Sequence, residues 1–507
     1  MTNRAERSLP KAATGIQGLD EITGGGLPQG RPTLICGSAG CGKTLMAVEF
    51  LVRGATQFKE PGVFLMFEEN EAELAANVRS LGFDLDDLVK KKKLVLQQVR
   101  VERSEIEETG EYDLEGLFIR IAHAARSIGA KRIVLDTLEA LFSGIPNEAI
   151  LRAELRRLFR WLKDQGLTAV ITGERGDGKL TRYGLEEYVA DCVILLDNRV
   201  REQISTRRLR IVKYRGSAHG ANEYPFIITR TGISVLPITS LLLEHKAQEG
   251  RIPTGLADLD AMLAGGGFHR GSSILVTGAA GSLKTSLSMS FADAACRRGE
   301  RVSIFAFEES ASQIIRNMRS IGMDLQRWVD KGLLKIVSSR PTLTGLEQHL
   351  VLMYDHVLDF KPAVVVVDPV SNLAMDADAS IKPMLMRLID HLKVQGVTAL
   401  FTSLTSADSA LAEDSEVGVS SLMDTWILLR NREEDGRRRR LLVVLKARGT
   451  AHSNTVRDLR VGDKGLTLGP EDGRKTPPAA AKRAVRRLPQ AAAPKGGRRA
   501  STKGKRT

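Results

Sequence analysis

The chain has 507 residues, too many for one ordinary domain, and its 42% hydrophobic and 27% charged residues are typical of a soluble globular protein. The N-terminal stretch MTNRAERSLPKAATG has no apolar core, and no uncharged apolar run approaches the ~18 residues of a membrane helix, so we expect neither a signal peptide nor a membrane contact. The four cysteines have no metal-type spacing and are predicted to be reduced thiols in a cytoplasmic protein.

The net charge of +13 is concentrated at the C-terminal end of the chain. Residues 471–507 contain twelve Lys/Arg and two Asp/Glu, which leaves only +3 for the rest of the chain. This segment is rich in Ala, Pro and Gly and has almost nothing to bury, so it is predicted to be a disordered basic tail. Two roles stay open for it: a solubilising extension, or weak contact with nucleic acid or an acidic partner.

Short β-branched runs alternate with longer amphipathic ones along the chain. PTLICG, VFLMFEE, KRIVLDT and TAVITGE are predicted strands, because continuous apolar runs of this kind are buried on both faces of parallel sheets. Between the first two, apolar residues recur at three- and four-residue steps and predict one helix face: Leu45, Val48, Val52 and Ala55. Strand, glycine loop, helix and strand form a βαβ unit, so an α/β domain on a mainly parallel sheet is predicted.

The same landmarks return about 240 residues later in the chain. TGIQGLDEITGGG returns as TGLADLDAMLAGGG, LICGSAGCGKT as LVTGAAGSLKT, FLMFEENEAEL as IFAFEESASQI, and KYRGSAHG as KARGTAHS. Four landmarks in one order predict two copies of one domain. We place the first copy at residues 1–245, the second at 246–470 and the tail at 471–507.

Each copy has a glycine loop between a strand and a helix. GSAGCGKT satisfies G-x-x-x-x-G-K-[ST], in which backbone N–H groups wrap the phosphates of a nucleotide, the lysine adds charge and the threonine hydroxyl binds Mg²⁺. A glycine turn without a nucleotide is the alternative. The predicted nucleotide-binding residues are Gly37, Ser38, Ala39, Gly40, Cys41, Gly42, Lys43, Thr44 and Leu45 in the first copy, and Gly278, Ala279, Ala280, Gly281, Ser282, Leu283, Lys284, Thr285 and Ser286 in the second.

Two substitutions separate the second site from the first. Leu283 is bulky where a glycine lets the loop approach phosphate, although a leucine can point away if its φ stays negative. Pro369 follows Asp368, whereas Thr137 follows Asp136, so a hydroxyl beside the first site is missing from the second. The charge-bearing groups are all retained, and the second copy is predicted to bind ATP in an altered site.

Carboxylates end two of the predicted strands in each copy. An aspartate at a strand end can complete a magnesium shell, and one member of a Glu-Glu pair can orient the attacking nucleophile in phosphoryl transfer. Because adjacent carboxylates repel, one of them tends to keep its proton, which suits a base. Solvated surface glutamates are the alternative. The predicted residues are Thr44, Asp136, Thr285 and Asp368 for magnesium, and Glu68, Glu69, Glu308 and Glu309 for catalysis.

The order TGxxxLDxxxxGG, GxxGxGKT, FEE, strand-aspartate, RYGLEEYVADCVILL and KYRGSAH…EYPFIIT resembles the KaiC family of circadian-clock ATPases, in the RecA-like superfamily. The resemblance covers about residues 12–468, and the family is itself a tandem duplication. It implies two tandem RecA-like P-loop NTPase domains, stacked as two rings in a homohexamer, with ATP and Mg²⁺ at each subunit interface. It also implies a timing or signalling hub with slow ATP hydrolysis in the first ring and Ser/Thr autokinase and autophosphatase activity in the second.

The resemblance also assigns roles to single residues. Glu68 and Glu308 become the catalytic bases, and Ser420 and Ser421, in VSSLMDTWILL, match the family's phosphorylated pair, which has no counterpart in the first copy. Charge that develops during transfer favours a cation on the side that the P-loop leaves open. The residues implied to reach a neighbour's nucleotide are Lys213, Arg215, His219, Lys446, Arg448 and His452. Taken alone, KxRGxxH is also compatible with a solvated basic hairpin.

The partners implied by the resemblance are limited by the tail. Clock KaiC proteins end in a segment that binds KaiA, and nothing like it is legible after residue 470, so KaiA binding is not expected, whereas a KaiB-like partner is compatible. Two alternatives to the enzyme stay open. One is a DNA-acting RecA-type motor, recombinase- or helicase-like, which would explain the basic tail but not the nearly neutral remainder of the chain. The other is a scaffold that bound nucleotide holds together, which needs no ATP turnover.

Overall fold

The computed structural model describes residues 9–99, 115–137, 139–140, 148–176, 180–181, 189–201, 204–237, 248–340, 345–374, 381–405, 420–434 and 437–471. The predicted tail therefore lies outside the described residues, apart from its first position. Among the described residues, no helix is long and apolar enough to cross a bilayer. All four cysteines are buried and free.

The first copy contains eleven strands and six helices among its described residues. The strands are β1 Lys11–Ala12, β2 Leu27–Pro28, β3 Pro32–Gly37, β4 Gly62–Met66, β5 Leu94–Gln98, β6 Arg132–Asp136, β7 Thr168–Glu174, β8 Cys192–Arg201, β9 Ile204–Tyr214, β10 Glu223–Thr229 and β11 Gly232–Val235. The helices are α1 Leu19–Ile22, α2 Lys43–Gln57, α3 Glu71–Arg79, α4 Leu85–Lys90, α5 Glu115–Ile128 and α6 Glu148–Asp164.

The second copy repeats this order, again among the described residues. Its strands are β12 Arg251–Ile252, β13 Phe268–His269, β14 Ser273–Gly278, β15 Val302–Ala306, β16 Leu334–Ser338, β17 Val364–Asp368, β18 Thr398–Leu404, β19 Thr425–Glu434, β20 Arg437–Ala447, β21 Arg457–Gly462 and β22 Gly465–Glu471. Its helices are α7 Ala257–Met262, α8 Lys284–Arg297, α9 Ala311–Arg319, α10 Gln326–Asp330, α11 Leu346–Phe360 and α12 Ile381–Val394, with 3-10 turns at Val370–Ala374 and Ser420–Leu422.

Each copy is built on one nine-stranded sheet. The strand order is β11-β10-β9-β8-β3-β7-β6-β4-β5 in the first copy and β16-β15-β17-β18-β14-β19-β20-β21-β22 in the second, which is the same order read from the other edge. The six strands from β8 to β5 are parallel, and the three that follow β8 along the chain are antiparallel. The predicted α/β class with mainly parallel sheets is confirmed.

Two apolar layers cover the faces of each sheet. In the first copy α2 packs on one face, where Phe50 and Phe64 are buried together, and α5 and α6 pack on the other, where Ile121 and Leu155 are buried. Because both faces are covered, the central strand β3 is buried along its whole length. The carboxyl end of β3 is left open between β7 and β8, and the glycine loop lies there.

The two copies meet where α11 of the second packs on β10 and β11 of the first. Arg208 and Glu347 form an ion pair of 2.6 Å across this junction, and the Tyr354 hydroxyl donates to Glu21 at 3.1 Å. The carboxylate of Asp355 accepts hydrogen bonds from Ser234 and Gln17 of the first copy. Helix α11 corresponds to α5 of the first copy. The outer face of α5 is exposed, whereas α11 contacts the other copy.

Candidate functional site

The first glycine loop joins β3 to α2 at the open end of the sheet. The Lys43 side chain folds back over the loop, and its Nζ donates to the carbonyl oxygens of Gly37 at 2.9 Å and Ser38 at 3.0 Å. Gly40 and Gly42 have φ of 73° and 105°, a left-handed conformation that turns backbone N–H groups toward one concave side. A Cβ on Gly40 would meet nothing within 4 Å, so the crest of the loop is open to an anion.

The first glycine of each loop has a different role. A Cβ on Gly37 would lie 2.4 Å from the carbonyl oxygen of Leu196 on β8, and one on Gly278 would lie 2.5 Å from the carbonyl oxygen of Leu429 on β19. These contacts are with backbone and cannot be relieved by a side-chain rotation. Glycine is therefore required here by the packing of the neighbouring strand, independently of any ligand.

Asp136 ends β6 beside the first loop. Its carboxylate accepts hydrogen bonds from the hydroxyls of Thr172 and Thr44. Burial raises the pKa of Asp136, and the two hydroxyls and the Lys43 ammonium partly oppose that shift. A half-buried carboxylate next to the first hydroxyl of the helix is an oxygen-donor set that fits Mg²⁺. Asp136 and Thr44 would hold the ion, and the ion would supply positive charge against the phosphates.

The second glycine loop has the same backbone shape as the first, despite Leu283. Lys284 Nζ donates to Gly278 at 2.8 Å and Ala279 at 2.9 Å, which repeats the two contacts of Lys43. The φ of Leu283 is 76° and its ψ 25°, against 105° and 19° for Gly42. The condition of a negative φ, under which a leucine was expected to point away from the phosphates, is therefore not met.

Leu283 is accommodated by smaller residues on a neighbouring strand. In the first copy a Cβ on Gly42 would lie 3.4 Å from Ile228 Cδ1 and 4.0 Å from the Phe226 ring on β10. The strand register places Leu459 and Val461 of β21 at the corresponding positions. Leu283 packs against the apolar cluster that contains Leu459. Its side chain therefore fills space that larger side chains occupy in the first copy.

Asp368 repeats the carboxylate of the first site. It accepts hydrogen bonds from the hydroxyls of Thr402 and Thr285. Burial raises the pKa of Asp368 and lowers the pKa of Lys284, while attraction between these two groups opposes both shifts. The second site thus retains the oxygen donors and the cation that a Mg²⁺-nucleotide needs.

The two copies hold the first glutamate of each Glu-Glu pair differently. Glu68 Oε1 accepts a long hydrogen bond of 3.4 Å from the Thr137 hydroxyl. Pro369 cannot make this contact, and in the second copy the amide of Asn372 donates to Glu308 Oε1 at 3.1 Å instead. The hydroxyl lost at Pro369 is thus replaced by an amide from the next turn of the chain.

The second glutamate of each pair has other surroundings. Burial raises the pKa of Glu69, and the charges of Asp136, Glu73 and Glu68 add to that shift, so this carboxyl tends to keep its proton. Glu309 accepts a hydrogen bond of 3.2 Å from Asn317 on α9. The catalytic roles of all four glutamates stay predictions.

The six basic residues predicted to act in trans lie away from the glycine loop of their own copy. Lys213 pairs with Val193 on β8, which pairs with Leu34 on β3, three residues before the loop begins, or roughly 10 Å along the strand. Lys446 has the same position in the second copy, since it pairs with Trp426 opposite Leu275. The other four follow these lysines in the chain: Arg215, His219, Arg448 and His452. This placement favours action on a neighbouring chain over action on the chain's own nucleotide, and the role in trans stays a prediction.

Comparison with known proteins agrees with this geometry. The family described as "ATPase: KaiC" matches residues 12–240 and again 252–473. The chain belongs to the KaiC family. It is 57% identical to the Circadian clock protein KaiC2 of Synechocystis over 92% of this chain and 82% of the relative, and 40% identical to KaiC3 of the same organism over 92% and 94%. The Circadian clock oscillator protein KaiC of Parathermosynechococcus lividus is 37% identical over 91% and 86%.

Membership of the KaiC family identifies the chain as an ATPase with two RecA-like domains, and ATP as the nucleotide that its loops would bind. The double match follows the internal duplication and favours this interpretation over a DNA-acting motor. The family match assigns no role to any single residue, so the assignment of each side chain to a role depends on the geometry described above.

The segment predicted to contain the phosphoacceptor pair lies at the same end of the sheet as the cations predicted to act in trans. The backbone carbonyl of Ser421 accepts hydrogen bonds from Arg448 at 2.7 Å and from Lys446 at 3.4 Å. Burial alone would raise the pKa of Asp424, but Lys393 and the first residue of β14 donate to its carboxylate and hold the pKa below its usual range. The turn before β19 is thus fixed at both sides. The matching first-copy segment, 182–188, lies outside the described residues.

Two residues near the second site were not found from the sequence. Arg440 on β20 donates its Nε to the carbonyl oxygen of Gly281 at the crest of the loop, 3.2 Å away. It stands in a run of four arginines, which by itself indicates only a solvated basic strand. Asn372 carries no sequence signal, because its partner Glu308 is 64 positions away.

Proposed function

We propose that this KaiC-family ATPase hydrolyses ATP in its first copy and transfers the γ-phosphoryl group of ATP to Ser420 or Ser421 in its second, as a timing or signalling hub. The KaiC relatives are circadian clock proteins by name, which supports the timing role. The proposal includes domain boundaries at 1–245, 246–470 and 471–507, a cytoplasmic homohexamer, and a KaiB-like partner rather than KaiA.

One observation carries the kinase proposal. The acceptor turn and the second glycine loop lie at opposite ends of the same sheet, because the turn precedes β19 where β14 begins and the loop follows β14 where it ends. A phosphoryl group cannot be transferred over that separation within one chain. The donor must therefore be ATP held by Gly278–Thr285 of a neighbouring subunit.

The side chains of the second site divide the work as follows. Lys284 would attract the β- and γ-phosphate oxygens, and Thr285 and Asp368 would hold the magnesium ion. Glu308 takes up or orients the proton of the attacking serine hydroxyl. Lys446 and Arg448 enter from the acceptor's own subunit and neutralise the charge on the transferred group. Both cations also donate to the Ser421 carbonyl oxygen, so the acceptor serine and the cations would reach the neighbouring nucleotide together.

Mixed hexamers test the transfer between subunits. Lys284→Ala subunits lack the donor site but keep both serines, and Ser420→Ala/Ser421→Ala subunits keep the donor site but lack acceptors. Neither alone should incorporate label from [γ-³²P]ATP into residues 420–421, whereas mixtures should label the Lys284→Ala chains. Tight ATP binding at the second site with no phosphoserine in wild type or mixtures would contradict the kinase proposal.

Native mass spectrometry tests the assembly. We expect ATP to convert the protein to hexamers, and Lys43→Ala to weaken assembly more than Lys284→Ala, because the first loop has the complete P-loop sequence. Hexamers in Lys43→Ala but not in Lys284→Ala would reverse this expectation. Deletion of 471–507 is the control, since that segment has no core-forming pattern and its removal should leave ATP turnover and assembly intact.

A further inference from the structure

Glu308 is exposed at the end of β15, and an exposed glutamate has several side-chain rotamers of similar energy. A base must lie within hydrogen-bond reach of the proton that it takes up, so an unrestrained carboxylate is in the productive position for only part of the time. In the first copy the corresponding restraint on Glu68 is a contact of 3.4 Å with an exposed hydroxyl.

The restraint in the second copy is stronger and comes from a rigid turn. Asn372 is 8% exposed and belongs to the 3-10 turn that follows β17. Val370 and Leu373 of this turn are buried in the core, and the backbone N–H of Leu404 on β18 donates to the Ser371 hydroxyl at 3.2 Å. The turn is thus fixed to the sheet on both sides of Asn372, and the amide has little freedom.

The hydrogen bond to the glutamate comes from a different chain position in each copy. Where the second copy has Pro369 and Asn372, the first has Thr137 and Ala140. Among the described residues, each copy therefore has one side-chain donor to the glutamate, from the first position in one case and from the fourth in the other. An alanine cannot donate from its side chain, and neither can a proline, so the exchange is reciprocal.

We propose that Asn372 is a positioning residue of the second site, which holds Glu308 in the orientation for proton uptake during phosphoryl transfer. This inference rests on the proposed kinase activity of the second copy. It goes beyond that activity because it assigns the orientation of the base to a side chain outside the glycine loop and outside the magnesium donors.

The test measures turnover at the second site in a Glu68→Gln background, which removes the base of the first site. Asn372→Ala should lower second-site ATP turnover and serine phosphorylation about tenfold or more, with the ATP dissociation constant unchanged within about twofold. Asn372→Asp, which has the same shape but places a second carboxylate against Glu308, should lower turnover further. A Pro369→Thr/Asn372→Ala variant, which copies the first-site arrangement, should recover most of the loss.

Two controls separate positioning from a general structural effect. In a Glu308→Gln background, Asn372→Ala should cause no further loss of turnover, because no base is left to orient. In nucleotide-free protein, the fall in Tm caused by Asn372→Ala should be smaller when Glu308 is already alanine, which measures the contact without any catalysis.

The outcomes distinguish this inference from the proposed function. If Asn372→Ala keeps wild-type turnover, or loses the same factor in the Glu308→Gln background, Asn372 does not act through Glu308 and the inference is wrong. If the parent protein binds ATP at the second site but shows neither turnover nor phosphoserine, the proposed function fails instead. Failure of the Pro369→Thr rescue with a normal Tm and normal ATP binding would also count against positioning.

Discussion

The two copies of this KaiC-family chain reach the same P-loop geometry from different residues. Gly42 and Leu283 both adopt a left-handed conformation, and both lysines make the same pair of contacts with the loop carbonyls. The conformation costs a leucine roughly 1–2 kcal/mol more than a glycine. The comparison teaches that the shape of the loop is set by the strand and helix that it joins, and that the residue at this position can change when its packing partners change with it.

The copies differ more in how each site is supported than in its charged groups. The lysine, the hydroxyl, the aspartate and the glutamate pair are present twice, but the donor to the glutamate is Thr137 in one copy and Asn372 in the other. Helix α11 carries Asp355 at the junction between the copies. The corresponding helix of the first copy, α5, carries an exposed His123 at the same position. Duplication kept the chemistry and altered its surroundings.

The largest expected effect comes from removing one base at a time. Glu68→Gln should lower ATP turnover by the first copy by about a hundredfold or more, and Glu308→Gln should do the same to the second, because each acts at its own P-loop. Single-turnover hydrolysis and phosphoserine formation, measured in parallel, separate the two. Equal loss of both activities in either variant would show that the sites do not work independently, and unchanged turnover in both would favour a nucleotide-glued scaffold.

Gly42→Leu puts the second-copy residue into the first copy. We expect a loss of about 2–4 kcal/mol in the free energy of unfolding, because the leucine adopts a left-handed conformation and collides with larger neighbours. Adding Phe226→Leu and Ile228→Val, the residues found around Leu283, should restore part of that loss. Thermal unfolding with and without ATP measures it. A triple variant no more stable than the single one would refute the packing explanation.

The pH dependence of the free energy of unfolding should report on Asp355, which lies at the junction between the two copies. Burial raises the pKa of Asp355 to about 6, so the folded state keeps a proton that the unfolded state loses. Its contribution to stability is present below pH ~4 and is lost as pH rises through ~6.

Asp355→Asn keeps the acceptor oxygen and removes the charge. It should stabilise the protein by about 1 kcal/mol near pH 8 and leave stability unchanged near pH ~3.5. Urea unfolding at both pH values checks this, with His123→Asn as the matched control on the exposed helix. A difference that does not vary with pH would show that Asp355 is not the group responsible.

Leu283→Gly should have the smallest effect of the series. Relief of the left-handed leucine favours the variant, whereas lost packing and the greater freedom of glycine in the unfolded chain oppose it, so stability should change by less than about 1 kcal/mol. The same exchange in reverse at Gly42 is expected to cost several times more. Comparable effects at the two positions would mean that the neighbouring strands do not decide which residue is tolerated.

The sequence alone determined the duplication, the α/β class and the chemistry of both P-loops. These features are local: a phosphate loop is eight consecutive residues and a strand is a short apolar run. The glutamates predicted to be catalytic and the aspartates predicted to bind magnesium lie at the ends of such runs. Their relative placement then follows from the rule that carboxyl ends of parallel strands meet at one edge of the sheet.

Only the tertiary structure decided what supports these residues. Leu283 packs against a cluster that contains Leu459, and the restraint on Glu308 depends on Asn372. The burial that raises the pKa of Asp355 depends on the other copy, where its carboxylate contacts Ser234. Each of these pairs is separated by more than 60 positions in the chain, so no local pattern connects its members. The reason is physical: burial, steric fit and hydrogen-bond partnership are set by which elements pack together, and a single sequence reports that packing only where it is periodic or repeated.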